Sequence, residues 1–219
     1  MNYKYSQRHE LLFLIPDNYT KVLEIGCGTG EFFKNLKKKC EIWGIEPSKE
    51  AVSKCLKEYK IFNGSYDQVV NNLPKNYFDL VICNDVIEHM VDHDYFFHSI
   101  KKVMRNKCIM IGSIPNVRYY TNFFHYVLLK DWKYVNEGIL DRTHQRFFTE
   151  KSLKNTLKYH HYEIIQFKKI NKKNAVGGLK DFFHYILLKL IIIVTLGYYQ
   201  DLQYLHVAFQ IRYNKNDND

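Results

Sequence analysis

The sequence predicts an α/β fold with a doubly wound sheet, because short apolar runs alternate with segments that suit helices. The run 78–83 is almost continuously apolar, as expected for a central parallel strand. The run 22–25 ends in three glycines at every second position, which indicates a strand that stops at a ligand-binding loop. Strands are expected near 21–26, 41–46, 60–63, 78–84 and 107–114, with helices near 30–38, 48–58, 66–72 and 93–104.

Two segments without strand periodicity interrupt the second half of the chain. The predicted order there is a lid insertion at 117–146 over the carboxyl ends of the strands, a helix at 149–159, a strand at 162–169, a second lid insertion at 177–200 and a last strand at 203–213. Thr149 is the expected N-cap of the helix. We expect one domain over 1–213 and a polar tail over 214–219, since 219 residues suit a single core.

The two lid insertions share a near repeat, FFHYVLLK at 123–130 and FFHYILLK at 182–189. Both copies are expected to form aromatic-rich helices that pack together above the site. The stretch 182–199 approaches the length of a membrane span, but Lys189 interrupts it and it lies between two predicted sheet strands. A buried lid helix is favoured. The alternative is a helix on a membrane surface beside a set of lysines: Lys168, Lys169, Lys172, Lys173 and Lys180.

Composition limits the class of protein and its surroundings. The net charge of +9 fits nucleic acid, an anionic membrane or phosphorylated substrates, but the lysines are scattered and no RNA-binding signature is present. Compositional bias is therefore the favoured explanation. The five cysteines form no C-x-x-C pair, which is typical of reduced thiols in the cytosol. Residues 1–10 are polar, unlike a signal peptide, so a cytoplasmic location is expected.

The glycine loop carries the first functional signal. Its spacing is E-x-G-x-G-x-G, from Glu24 through Gly26, Gly28 and Gly30. A dinucleotide site needs G-x-G-x-x-G, and here Glu31 stands where that pattern needs glycine. A carboxylate at that helix start would repel a pyrophosphate. The loop therefore favours a nucleoside ligand that lacks phosphate.

The second predicted strand ends in an acid, Glu46, followed by Pro47 and Ser48 as a helix entry. A carboxylate there can accept hydrogen bonds from both hydroxyls of a ribose. Glu46 lies 20 residues after Gly26, the separation of one strand-helix-strand unit. The pairing with the glycine loop favours a ribose contact over a solvated strand-end acid.

Two polar clusters are candidates for the chemistry. Asp85, Glu88 and His89 directly follow the fourth strand, and on a helical turn they share one face. They suit a divalent cation or a division of acid, base and orienting roles. The second cluster, 138–149, lies where the first lid returns to the fold. Its His144 is the best candidate base, because an unperturbed imidazole titrates near neutrality.

These motifs together resemble a bacterial branch of the class I S-adenosylmethionine (SAM) methyltransferases that is associated with surface-polysaccharide biosynthesis. The resemblance covers nearly the whole chain and rests on the glycine loop, Glu46, the run 78–89, S-I-P-N at 113–116 and D-R-T-H-x-R-F-F-T at 141–149. It implies a Rossmann-like seven-stranded sheet whose last strand is antiparallel, with helical lid insertions. It also implies SAM as the methyl donor.

The resemblance implies a role for particular residues of this chain. The glycine loop and an N-terminal segment with Tyr3, Tyr5 and Arg8 would hold the methionine end of SAM, with Arg8 as a partner for its carboxylate. Ser65 and Tyr66 are the expected adenine contacts, although the usual acid directly after Gly64 is missing. The expected cofactor-binding set is Arg8, Glu24, Gly26, Cys27, Gly28, Gly30, Glu46, Ser65, Tyr66 and Asn84.

The chain is also similar to metal-assisted O-methyltransferases of the ubiquinone pathway and of small-RNA 3′-end methylation. Asp85, Glu88, His89 and His144 match their ligand positions, which implies Mg²⁺ or Mn²⁺. The first ligand there is usually Glu, and Asp85 is one methylene shorter. The expected catalytic residues are His144 and His89: His144 would remove the acceptor proton as a base, or a bound cation would lower the pKa of the acceptor.

The predicted reaction is O-methylation of a sugar or glycan-precursor hydroxyl. Three alternatives stay open: an isoprenoid-quinone or other small-molecule O-methyltransferase, an RNA 2′-O-methyltransferase, and a non-catalytic SAM-binding protein. A small-molecule or glycan-precursor partner is expected rather than nucleic acid. Within the expected cytoplasmic location, peripheral contact with the inner face of the membrane stays open.

Overall fold

A seven-stranded sheet forms the centre of the described part of the chain, residues 7–172 and 179–215 of a computed structural model. The strands are β1 (Lys21–Ile25), β2 (Glu41–Glu46), β3 (Lys60–Asn63), β4 (Phe78–Asn84), β5 (Met104–Pro115), β6 (Glu163–Lys172) and β7 (Tyr204–Arg212). Their order is β3-β2-β1-β4-β5-β7-β6, and β7 alone among them runs antiparallel to both of its neighbours. This confirms the predicted Rossmann-like sheet with an antiparallel last strand.

Helices and short 3₁₀ turns connect the strands. The α-helices are α1 (Lys49–Lys54), α2 (Tyr66–Val69), α3 (His93–Val103), α4 (Tyr120–Leu128), α5 (Glu150–Tyr159) and α6 (Leu179–Val194). The 3₁₀ turns are His9–Leu14, Phe32–Asn35, Val70–Asn72, Ile87–His89 and Gln200–Gln203. Side chains of Ser48, Asp92 and Thr149 accept backbone N–H groups at the starts of α1, α3 and α5. The N-cap predicted at Thr149 is therefore confirmed.

Strand β4 is covered on both faces of the sheet. Leu80, Val81, Ile82 and Cys83 are all fully buried, although neighbouring side chains on a strand point to opposite faces. Val81 and Cys83 belong to one hydrophobic cluster, whereas Leu80 and Ile82 belong to the other. Burial on both sides leaves β4 little freedom to shift, so the residues after its carboxyl end are held in a defined place.

The helix predicted over 30–38 is wrong, because only the 3₁₀ turn Phe32–Asn35 forms there. Phe32 and Phe33 are both buried, in the same hydrophobic cluster as the N-terminal turn. The amide of Asn35 donates to the carbonyl of Gln7 at 2.7 Å and ties the segment to the N-terminal turn. The lysines at 34 and 37–39 would also repel one another at helical spacing.

The helix predicted over 48–58 is shorter in the structure. α1 ends at Lys54, because Cys55 adopts an extended conformation. The thiol of Cys55 lies 3.3 Å from the carbonyl oxygen of Gly28, so the end of this helix turns back toward the glycine loop.

The outer strands of the sheet are β3 and β6. β3 has only four residues. β6 has an irregular register against β7 between Ile164 and Gln166, and it carries Lys168, Lys169 and Lys172. Both features interrupt the regular row of unpaired backbone groups that an edge strand presents.

The two copies of the repeat form helices that pack together, as predicted. Tyr120 and Phe124 of α4 share a small hydrophobic cluster with Leu188 of α6. The ring of His184 stacks on Phe124 at a centroid distance of 6.0 Å. No helix in the described ranges combines the length and apolarity needed to cross a bilayer.

The expectation that α6 is buried is wrong. Ile193 and Val194 are 68% and 80% exposed, and Leu196 just beyond the helix is 97% exposed. Only the inner face of α6 is covered, because a single layer formed by α4 and the turn Gln200–Gln203 packs against it. A continuously apolar sequence predicted burial on all sides, but no further element covers the outer face.

We expect Gly112→Ala to destabilise the fold. A Cβ on Gly112 would lie 2.2 Å from the carbonyl oxygen of Cys83 and 2.8 Å from the ring of Phe209, so β4 and β5 would have to separate. Overpacking of this kind costs about 1–3 kcal/mol. Urea unfolding of both proteins measures the change. Ser53→Ala on the exposed surface of α1 is the control and should stay within about 0.5 kcal/mol of the parent; an equal effect of both changes would contradict the packing argument.

Candidate active site

A cavity of about 1250 Å³ opens at the carboxyl ends of the parallel strands β1, β2 and β4. In an open α/β sheet this edge is where ligands bind. Its walls come from the ends of these strands, the start of α2, the residues after β4 and the loop before α5. The lining residues are Ile25, Gly26, Ile45, Glu46, Pro47, Ser65, Tyr66, Asp67, Asp85, Val86, His89, Met90, Val91, Asn136, Glu137, Gly138, Asp141, Arg142 and Thr143.

The glycine loop has the backbone that its sequence predicts. Gly26, Gly28 and Gly30 have φ angles of 70°, 55° and 77°, in the left-handed region that favours glycine. A Cβ on Gly26 would also lie only 2.6 Å from the Cγ2 atom of Val86. The loop follows β2 closely, since the N–H groups of Gly26 and Cys27 both donate to the carbonyl of Ile45. Of these loop residues, Gly26 lines the cavity.

Glu46 ties the glycine loop to the second strand. Its buried carboxylate accepts the N–H of Gly28 at 2.9 Å on one oxygen and the N–H of Ser48 at 2.8 Å on the other. Each carboxylate oxygen has two lone pairs, so both can accept a further hydrogen bond from a ligand in the cavity. Glu46 therefore positions the loop and also presents acceptors to the site.

The start of α2 forms the wall opposite the glycine loop. Ser65 caps this helix together with Gln68, and Ser65 and Tyr66 both line the cavity as predicted. The hydroxyl of Tyr66 points into the core, where it pairs with the hydroxyl of Ser99 at 2.8 Å. Burial raises the pKa of Tyr66, with Ser99 opposing the shift, so this phenol stays neutral. Asp67 also lines the cavity; sequence reasoning passed over it because it lies three residues after Gly64 rather than one.

Asp85 belongs to a charged network at the mouth of β4 and β5. Its carboxylate pairs with the guanidinium of Arg8 and accepts the hydroxyl of Ser113 at 2.7 Å. Burial alone would raise the pKa of Asp85, but the charges of His206 and Arg8 and the Ser113 donor hold it below its ordinary value. Because burial lowers the pKa of His206, Arg8 is the constant positive charge in this network.

Arg8 was expected to bind a ligand carboxylate, but in the structure it forms ion pairs with acidic residues of the chain itself. Its guanidinium contacts Glu10 at 2.7 Å as well as Asp85, and it donates to Ser113 at 3.0 Å. Arg8 does not line the cavity. The predicted partners Tyr3 and Tyr5 lie outside the described residues.

Four further residues of the predicted cofactor-binding set lie behind the cavity wall. Cys27 packs against Gly44 of β2, where a Cβ would lie 2.6 Å from its sulfur. Gly30 donates its N–H to the carbonyl of Cys27 and closes the turn. Glu24 is buried, and one of its carboxylate oxygens has no hydrogen-bond partner. Both polar atoms of the Asn84 amide are likewise buried without a partner.

Three of the four expected metal ligands come together. One potential ligand atom from each of Glu88, His89 and His144 lies within 4.8 Å of the others. The fourth, Asp85, is engaged by Arg8 and Ser113 and stands outside this group. The expected set of four is therefore corrected to three in the described chain.

The geometry of the two imidazoles suits a cation. Nδ1 of His144 lies 2.9 Å from the carbonyl of Ile139, and Nδ1 of His89 lies 3.3 Å from the carbonyl of Thr143. A carbonyl accepts only from a protonated nitrogen, so both rings keep the Nε2 lone pair available. The rings meet edge to face at a centroid distance of 4.6 Å.

The pKa values of Glu88, which is buried, and of His89, at the exposed side of the cluster, are both shifted. Burial raises the pKa of Glu88 well above its ordinary value, and the neighbouring charge of Asp85 raises it further. Both carboxylate oxygens of Glu88 are buried without a hydrogen-bond partner. Burial, and then the proximity of His144, lowers the pKa of His89. Two imidazoles beside a carboxyl group without hydrogen-bond partners are ligands that suit a divalent cation.

The loop before α5 brings His144 to this cluster. The carbonyl of Glu88 accepts the N–H groups of Gln145 at 2.8 Å and Arg146 at 3.2 Å, which holds the loop against the turn after β4. Asp141 shapes the loop, because its carboxylate accepts both the N–H and the hydroxyl of Thr143. Asp141, Arg142 and Thr143 line the cavity and belong to the polar cluster predicted from the sequence, whereas Asn136 and Glu137 were assigned only to the first lid insertion. His144 itself is not among the lining residues.

Comparisons with known proteins agree with this architecture. A family model described as a methyltransferase domain matches residues 1–166. No curated protein sequence matches the chain. An Archaeoglobus fulgidus SAM-dependent methyltransferase is similar in structure, with a TM-score of 0.61, 19% identity and coverage of 89% of this chain and 86% of that one.

Two other solved structures are similar at lower identity. A Mesorhizobium loti SAM-dependent methyltransferase has a TM-score of 0.59 and 12% identity, covering 92% of this chain and 94% of its own. A Thermotoga maritima protein described as a possible histamine N-methyltransferase has a TM-score of 0.59 and 15% identity, covering 93% and 86%. At these identities the likeness shows the fold and leaves the acceptor open.

We expect Glu24→Gln to change how stability depends on pH in the ligand-free protein. Burial raises the pKa of Glu24 well above 4.5, so the native state holds a proton that the unfolded state releases. Wild-type stability should therefore fall as the pH rises above about 4.5, whereas the variant has no such proton to lose. The stability of the variant relative to wild type should increase from pH 5 to pH 8 in urea titrations.

Glu58→Gln is the matched control for loss of one negative charge, because Glu58 is exposed. A relative stability of Glu24→Gln that stays constant or falls over this pH range would show that Glu24 is ionised in the native state.

Proposed function

Because this chain belongs to the methyltransferase domain family, we propose that it is a SAM-dependent enzyme that methylates a hydroxyl group of a sugar or glycan precursor. The observation that carries the proposal is the turn of three left-handed glycines, held by Glu46 at the rim of the cavity. SAM, when bound, supplies a methyl group already activated on a sulfonium. The protein must then bind the donor, align the acceptor and exclude water.

The donor fits the half of the cavity next to β1 and β2. Gly26 lets a ligand approach the backbone, and Glu46 offers two acceptors to ribose hydroxyls. Ser65 and Asp67 at the start of α2 are positioned to bind the polar edge of a base. Asp85 presents a negative charge on the other side, which suits the ammonium of an amino-acid moiety. Arg8 acts through Asp85, because it orients that carboxylate.

The acceptor belongs beside the loop before α5. This part of the lining is polar, with Asn136, Glu137, Asp141, Arg142 and Thr143. Carboxylates and amides bind hydroxyl-rich sugars well through hydrogen bonds. A quinone ring would leave these groups unsatisfied.

The charge of the lining also favours a sugar over RNA. Among the lining residues, Arg142 is the one arginine and there is no lysine. Five of the lining residues are acidic: Glu46, Asp67, Asp85, Glu137 and Asp141. Nucleic-acid binding depends on cations that neutralise phosphates. The net charge of +9 therefore comes from residues outside this cavity.

His144 and His89 are the proposed catalytic residues. Their Nε2 lone pairs are available on the side of the ring away from the backbone carbonyls that fix them. An acceptor hydroxyl must lose its proton, and an imidazole nitrogen with a free lone pair is a suitable base.

A divalent cation is the second part of the proposal. Glu88, His89 and His144 would hold it, and it would supply a Lewis acid that lowers the pKa of a hydroxyl. Two of the three ligands are imidazoles, which suits Mn²⁺ better than Mg²⁺.

We expect Glu46→Gln to weaken SAM binding at least tenfold in isothermal titration calorimetry. An amide has one acceptor oxygen, so its NH₂ group would face the N–H of either Gly28 or Ser48 and displace the loop. Glu41→Gln, at the exposed start of the same strand, is the control and should leave the affinity unchanged. Equal affinities of all three proteins would refute the proposed donor site.

We expect His144→Ala to lower methyl transfer by at least a hundredfold while SAM affinity stays within about twofold, because His144 lies behind the acceptor half of the cavity. The assay follows methyl-labelled SAM with a panel of nucleotide-linked sugars. His98→Ala on the exposed surface of α3 is the control. Transfer to a quinone or to RNA, with none to any sugar, would refute the acceptor class but leave the donor site intact.

A chelator separates the two roles of His144. If Glu88, His89 and His144 hold a cation, EDTA should abolish transfer and Mn²⁺ should restore it, and Glu88→Gln should weaken Mn²⁺ binding in calorimetry. Full activity in EDTA would leave His144 acting as a base alone.

A further inference from the structure

The outer face of α6 is an uncovered apolar stripe. Ile186, Leu190 and Ile193 are all exposed and are spaced four and three residues apart, which places them on one side of a helix. The opposite side, with Leu188, packs against α4. A helix that is apolar on all sides is normally covered on all sides, so the stripe indicates a missing apolar neighbour.

The end of α4 extends this surface. Val127, Leu128 and Leu129 are exposed at the end of the first copy of the repeat. Between the two helices lies a groove of about 580 Å³, and Phe124, Leu128 and Phe183 are among the residues that line it. We use the name apolar helix pair for the exposed side chains of two segments. These are residues 127–129 at the end of α4, and residues 182–198, which comprise most of α6 and the turn after it.

The apolar helix pair lies at the same edge of the sheet as the cavity. α4 follows the carboxyl end of the parallel strand β5, and α6 precedes the amino end of β7. Pro115 at the end of β5 pairs with His206 near the start of β7, so these two ends coincide. A partner that covers the helix pair would therefore lie along the edge at which the cavity opens.

The charges of this surface complement an anionic partner. Neither 120–130 nor 182–200 contains a carboxylate in the sequence. Exposed Lys130 and Lys133 follow α4 with the exposed Asp131 between them, and exposed Trp132 and Tyr134 lie beside these lysines. Apolar side chains flanked by lysines and amphipathic aromatic rings are typical of segments that lie at the interface of a bilayer.

We propose that the apolar helix pair docks on the surface of an anionic phospholipid bilayer. The apolar stripe of α6 would enter the boundary between headgroups and acyl chains, and Lys130 and Lys133 would contact lipid phosphates. A second copy of the chain would also cover the stripe, but it would bring two molecules of +9 together, whereas an anionic bilayer attracts that charge. The proposal rests on this surface alone and is independent of the reaction in the cavity.

Vesicle co-sedimentation tests the proposal with the full chain. We expect binding to vesicles of phosphatidylcholine with 30% phosphatidylglycerol, and at least tenfold weaker binding to phosphatidylcholine alone. Leu190→Glu/Ile193→Glu should reduce binding to the anionic vesicles at least tenfold, since both positions are exposed and glutamate suits a helix. Raising the salt from 50 to 500 mM should also weaken binding of the parent protein.

Leu56→Glu is the matched control, because it places the same charge at an exposed leucine after α1, far along the chain from the helix pair. It should bind vesicles at least half as well as the parent. Circular dichroism and SAM calorimetry of each variant show whether the fold is retained.

Three outcomes would overturn the proposal. They are no vesicle binding by the folded parent, equal binding to neutral and anionic vesicles, or equal loss of binding in the α6 variant and in Leu56→Glu. A parent that forms a concentration-dependent dimer in ultracentrifugation and ignores vesicles would identify a second copy as the occupant instead.

Discussion

The buried carboxylate of Glu46 is the contact on which the rest of the site depends. It joins the end of β2 to the glycine turn after β1 through the N–H of Gly28, and it caps the backbone of Ser48 before α1. A left-handed turn of three glycines has few side-chain contacts of its own, so its shape has to be imposed by neighbours. With this carboxylate in place, the cavity has a defined wall before any ligand arrives, and less ordering remains to be done on binding.

The strands were predictable because their signals are local. The apolar runs of β1, β2 and β4 and the glycines after β1 mark buried parallel strands and a ligand loop from a few neighbouring residues each. The gathering of Glu88, His89 and His144 was predicted through family likeness, since nothing local to the sequence shows that residues 55 positions apart meet.

Long-range pairing explains what the sequence could not show. Arg8 and Asp85 are 77 positions apart, and each was assigned to a ligand rather than to the other. The helix predicted at 30–38 failed for a similar reason, because long-range contacts such as the hydrogen bond from Asn35 to the carbonyl of Gln7 hold this segment. The exposure of α6 was missed because an apolar sequence predicts only that the helix surface is buried. It does not show whether the residues that bury it belong to the same chain.

The protection of the sheet edges has a consequence for self-association. β3 is too short, and β6 too irregular and too rich in lysine, to pair readily with a strand of another molecule. Self-association in concentrated solution would therefore begin at exposed helices and not by addition of strands to the sheet. The aggregates would be amorphous and soluble in detergent instead of ordered fibrils. Mild detergent, more than added salt, is the rational additive for keeping such a preparation dispersed.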